Sequence, residues 1–123
     1  MPVREPRLGA LLRYSPFAIS FCVTSVFFIN FCNLIYRCGC RSLWAGADIA
    51  CNIHVEHGHH CPWCSHGNAG YAIEMGLICV PQLLVSMTGW SWKVRTLAAL
   101  AMFPVAGLGV ALMFGWIDSY WAP

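Results

Sequence analysis

Three stretches of this sequence, residues 17–36, 75–92 and 96–117, contain no Lys, Arg, Asp or Glu. A helix needs roughly 20 mostly apolar residues to cross the hydrocarbon core of a bilayer. The first and third stretches reach that length, and the second does so when residues 71–74 join it. Buried helices of a water-soluble bundle would keep a polar face, and the third stretch has almost none. Composition agrees: 10% of the chain is charged, against about 25% in an ordinary soluble domain. The expected fold class is therefore all-α integral membrane, with three transmembrane helices. Residues 1–15 form a basic tail, 16–36 the first span, 37–70 an irregular Cys/His-rich loop, 71–92 the second span, 93–95 a short basic loop, 96–117 the third span and 118–123 the C-terminal tail.

Arg4, Arg7 and Arg13 precede the first stretch as they would in a secretory signal. The apolar run exceeds the usual h-region of about 7–15 residues, so it is read as a retained helix. Short loops on the cytoplasmic side carry excess Lys and Arg. Arg4, Arg7, Arg13, Lys93 and Arg95 lie on one side of the predicted spans, Arg37 and Arg41 on the other. This asymmetry puts the N-terminus inside and the 37–70 loop outside, the expected setting being a bacterial inner (plasma) membrane with the loop exoplasmic. No basic stripe is present and the net charge is only +2, so nucleic acid is not an expected partner.

The spans carry their own signals. In the first, Cys22, Ser25, Ile29, Cys32 and Tyr36 fall on one face, read as protein-facing, with Asn30 and Asn33 beside it as packing contacts. Phe17, Phe27, Phe28, Phe31 and Ile35 lie roughly opposite and are read as lipid-facing. In the second, Pro81 predicts a kink, and Glu74 is expected about one turn inside the outer end, either at the headgroup level or as an intramembrane group that is paired or functional. In the third, Gly107, Ala111 and Gly115 recur every four residues, a close-packing face. It suits contact within the chain, with other membrane subunits or in a homo-oligomer. Trp44, Trp90, Trp92, Trp116 and Trp121 fall near the expected bilayer boundaries, where indoles anchor.

The chemistry concentrates in the loop. Five of the eight cysteines (Cys38, Cys40, Cys51, Cys61, Cys64) and all five histidines (His54, His57, His59, His60, His66) lie there. The loop has too few apolar residues to build a core, so metal or disulfides must order it. Cys51-x-x-His54 and Cys61-x-x-Cys64 are two ligand pairs at spacings that let both side chains face one ion. Together they would make a tetrahedral Cys3His set for zinc, with Cys38, Cys40, His57, His59, His60 and His66 as further donors. Copper is the other candidate, since thiolates select Cu(I). Iron–sulfur and haem stand behind these two, and C-P-W-C-S-H departs from the C-x-x-C-H of covalent haem by one residue.

Two other readings stay open. Cys61 and Cys64 could form a membrane thiol–disulfide oxidoreductase pair, with His60 lowering the attacking thiol's pKa. Alternatively the cysteines, with Cys32 as a sixth partner, could staple a structural subunit with no chemistry of its own. No hydrolytic triad, phosphate loop or carboxylate pair is seen, and whether the protein is an enzyme stays open. The favoured expectation is a small membrane protein that binds a transition metal, as a metal-handling or accessory subunit.

Overall fold

The computed structural model describes residues 6–122. Arg4, with the first five residues of the predicted basic tail, lies outside them. Four helices follow in order: α1 (Pro6–Tyr36), α2 (Pro62–Ser65), α3 (Gly67–Ser86) and α4 (Trp92–Ile117). Two short 3-10 turns, Leu43–Ala45 and Asn52–His54, lie between α1 and α2. No strand occurs among the described residues. By length and composition α1, α3 and α4 can each cross a membrane, and their outward surface is made of large apolar side chains such as Leu84, Leu97, Val105 and Trp116.

Each long helix buries a stripe that repeats mostly every four residues. On α1 it is Ser20, Thr24, Phe28, Cys32 and Tyr36, and on α3 Gly70, Glu74, Ile78, Gln82 and Ser86. On α4 it includes Thr96, Ala99, Phe103, Gly107, Ala111 and Gly115. Small residues bring the backbones close. A Cβ at Gly107 would meet the Phe31 ring at 2.8 Å, and Trp121 covers Gly115. The Gly107/Ala111/Gly115 face is thus occupied within the chain, against α1 and the C-terminal turn.

The expected sidedness of α1 is corrected by this packing. Phe28 is buried, not lipid-facing, and Cys22 is exposed. The reason is the loop, which folds back so that Trp63 stacks on Phe28 with ring centroids 4.6 Å apart. A helical wheel sees the helix but not the segment that covers it.

Polar side chains knit the bundle together. Gln82 Nε2 donates to Thr24 Oγ1 at 2.8 Å and to the Ala99 carbonyl at 3.2 Å, tying all three long helices together. Pro16 has no N–H, so the carbonyl of Leu12 four residues back lacks its helical donor. Arg95 supplies one: its guanidinium donates to the carbonyls of Leu12 and Arg13, at 3.2 Å each, and of Ser86 at 2.8 Å. Replacing Arg95 with methionine should cost about 1.5–3 kcal/mol, the usual worth of a hydrogen bond made by a charged group. A thermal melt of the detergent-solubilised variant that superimposes on the wild type would refute this.

Chain direction puts Arg13 and Arg95 at one end of the bundle. The end of α1, the start of α3 and the end of α4 meet at the other, and the 37–66 segment is folded over that end.

Candidate metal centre

The segment after α1 is steered by that helix's own polar residues. Arg37, at the helix end, takes a left-handed conformation (φ 51°). Asn33 Oδ1 accepts the Gly39 N–H at 2.9 Å, and Asn30 Nδ2 donates to Ser42 Oγ at 2.8 Å. These asparagines therefore tether the loop instead of bridging helices. Gly39 stands at φ +93°, and a Cβ there would collide with the Ala50 carbonyl. With glycine between them, Cys38 and Cys40 both turn inward and are buried.

Asn52 organises the rest. Its N–H donates to the Cys38 carbonyl at 2.7 Å, its Oδ1 accepts the Cys61 N–H at 2.6 Å, and its Nδ2 donates to the Tyr120 hydroxyl at 2.9 Å. Tyr120 in turn donates to the Tyr36 carbonyl at 2.6 Å. One residue, through its backbone N–H and its side chain, thus links both cysteine-bearing segments to the ends of α1 and α4. At α2, Pro62 occupies the first turn, where a missing N–H costs nothing, and Trp63 and Cys64 are buried beside it.

Six sulfurs converge under this cover. Cys32, Cys38, Cys40, Cys51, Cys61 and Cys64 are each between 0% and 6% exposed. Cys32 Sγ lies 3.0 Å from Cys61 Sγ and 3.5 Å from Cys38 Sγ, and Cys40 Sγ lies 3.8 Å from Cys64 Sγ. A disulfide bond would require about 2.05 Å, and all eight cysteines are free thiols. Four triangles of sulfurs lie within 4.8 Å corner to corner: Cys32/Cys38/Cys61, Cys32/Cys40/Cys64, Cys38/Cys40/Cys51 and Cys51/Cys61/Cys64. Such a cluster can hold a metal ion.

Thiol hydrogen bonds, chiefly from Cys32, hold the Cys38 and Cys64 thiols far below the ordinary thiol range. Burial pushes Cys51 the other way, up to about 11. A few thiolates are stabilised by protons kept on their neighbours, and the six cannot all ionise in a buried site without a positive partner.

The predicted donors separate by element. Cys38, Cys40, Cys51, Cys61 and Cys64 come together, and Cys32 of α1, expected only as a disulfide partner, joins them. The histidines lie apart from the close groups, which consist of cysteines alone. His54 Nε2 contacts the Asp48 carbonyl at 3.0 Å, and His60 Nε2 contacts the Val55 carbonyl at 2.8 Å. His57 and His59 are exposed. His66 Nε2 meets Asp118 Oδ2 at 2.7 Å, joining the start of α3 to the end of α4.

Two features escaped the sequence reading: Trp63 is fully buried against Phe28, Phe31 and Tyr36, and Asn52 organises the cluster. Glu74, singled out in the sequence, is fully buried as well. Because α3 begins at Gly67, Glu74 lies two turns inside the helix, not one. Neither of its carboxylate oxygens has a hydrogen-bond partner within the described chain. An even count of six cysteines in residues 32–64 was the available signal for Cys32. Nothing in the spacing singled out Trp63.

Gly39→Ala should lose the site's geometry. A non-glycine residue at such a φ costs about 1–2 kcal/mol, and the clash with Ala50 adds to it. Bound metal after equilibrium dialysis should fall well below the wild type, and unchanged retention would show that the Cys-Gly-Cys turn is not needed. No known family, curated protein or solved structure matches this chain.

Proposed function

We propose that this chain is a small integral membrane protein that binds a transition metal through its buried cysteine cluster, as a metal-handling or accessory subunit of a membrane complex. The observation that carries the reading is the convergence of six almost fully buried sulfurs, five of them in a segment with little apolar core of its own. A metal ion would supply the ordering energy such a segment needs. The bias of basic residues supports an exoplasmic position for the loop, and zinc and copper are the metals that this donor set favours. His54, placed 3.0 Å from a backbone carbonyl, could complete a Cys3His set only by swinging away from that contact.

Thiol–disulfide exchange is less well supported. Reactive thiols sit in partly exposed, electropositive surroundings, whereas Cys61 and Cys64 are 0% and 6% exposed and the His60 ring is engaged by a backbone carbonyl.

The test is elemental analysis of full-length protein purified anaerobically in detergent. Metal should co-purify in at least stoichiometric amount and fall away as pH is lowered, since protons compete with metal for thiolate. A protein that carries no metal, takes up none on reconstitution and shows its cysteines paired would replace this reading with the stapled subunit.

A further inference from the structure

The four sulfur triangles share corners but no edge. Each of the six cysteines belongs to two triangles, and every two triangles meet at one cysteine. Their sides are the twelve edges of an octahedron, whose other four faces are bounded by the same edges and meet the same limit. The three pairs that share no triangle are Cys32/Cys51, Cys38/Cys64 and Cys40/Cys61, which are the octahedron's opposite corners.

This geometry discriminates between metals. Any four corners of an octahedron include at least one opposite pair, so no four of these cysteines make a set of mutual close neighbours. Zinc in a structural site takes four ligands tetrahedrally and finds no such set here. An ion content with three sulfurs finds eight faces, four of which, taken alternately, share no edge. With a metal–sulfur distance of about 2.3 Å, three sulfurs in a trigonal plane stand about 4 Å apart, within the 4.8 Å limit of every triangle. A thiolate has enough lone pairs to bridge two ions, and here each sulfur has two triangles to serve. Cu(I), the soft monovalent ion that thiolates select, accepts three-coordination.

Charge points the same way. Six buried thiolates around one divalent ion would leave four uncompensated negative charges, in a site where unpaired charge is costly. Six S–H protons leaving and four Cu(I) ions entering leave two. No electron is transferred if copper arrives already monovalent.

We infer that the cluster is a tetranuclear copper(I)–thiolate cage, four Cu(I) ions on alternate faces of the sulfur octahedron with all six cysteines bridging. The other four faces are bounded by the same edges, so either alternate set can be filled. The inference rests on the metal-binding reading and makes it specific: the cargo class is cuprous ion, held several at a time out of contact with water.

The experiment is an anaerobic titration of the reduced, full-length protein in detergent with a Cu(I)–acetonitrile complex against a competing Cu(I) chelator. Four equivalents should be retained. Luminescence from solvent-shielded Cu(I)–thiolate should rise and plateau at the fourth. X-ray absorption at the copper edge should show three sulfurs per copper and a short copper–copper distance. Single Cys→Ser changes at any of the six should each lower the capacity, whereas Cys22→Ser and Cys79→Ser should keep it at four. Because the wild-type stoichiometry and spectrum are read directly, a variant that fails to fold does not blunt the result. Retention of a single zinc ion with no more than one copper overturns the cage and leaves the metal-binding reading standing. Retention of no metal of any kind removes both.

Discussion

Replacing Cys32 with serine will strip the protein of at least half of its bound metal, although Cys32 lies inside the first apolar helix and outside the Cys/His-rich loop. Its sulfur belongs to two of the four close groups and sits 3.0 Å from that of Cys61. A serine hydroxyl keeps the volume but offers no soft donor. The controls are built into the same helices: Cys22 is exposed and Cys79 half-buried, and neither belongs to a close group. Both should retain wild-type metal when changed to serine. Metal content per folded monomer, with helicity checked by circular dichroism, decides the matter. A Cys32→Ser protein with undiminished metal would confine the centre to the loop.

Trp63→Ala is expected to be the most damaging change outside the cysteines. The indole is fully buried, stacks on Phe28 at 4.6 Å and 11°, and lies against Phe31 and Tyr36. Deleting a buried Trp side chain costs about 3–5 kcal/mol, and here the loss falls on the contact that holds the loop to α1. Local opening should become about a hundred- to several-thousandfold more frequent, since about 1.4 kcal/mol is a factor of ten in an equilibrium. The rate at which a thiol reagent labels the reduced, metal-free protein reads that opening directly. Trp63→Phe should recover most of the protection through the retained aromatic contact. Equal labelling rates for wild type and Trp63→Ala would show that this contact with α1 is not what keeps the sulfurs out of reach.

The helical scaffold was legible because it follows from absence: runs without a charged residue have few alternatives to apolar helices. The loop's dependence on its cysteines was legible from its lack of a core. What could not be read was which donors converge. Cys51-x-x-His54 and Cys61-x-x-Cys64 look equivalent as spaced pairs, yet the path of the chain turns the sulfurs inward and leaves the His54 ring exposed. That path depends on Gly39 in a left-handed turn, on Asn33 accepting its N–H, and on Asn52 binding Cys38, Cys61 and Tyr120. These contacts span up to 68 positions in sequence and leave no local pattern. The face of α1 misled for the same reason: Phe28 is turned inward by a tryptophan 35 residues downstream.

The closeness of the six sulfurs also sets a race. Thiols held 3.0–3.8 Å apart have only a short distance to close to form a disulfide, and the effective concentration of one for another is very high. In an oxidising compartment a newly folded, unloaded chain would therefore be exposed to pairing from the moment its loop closes. Once paired, those sulfurs are lost as ligands until something reduces them. Loading would then have to precede oxidation, with the metal arriving during insertion or a reductant accompanying it. The lifetime of the unloaded state, more than the affinity of the loaded one, would govern how much protein becomes functional.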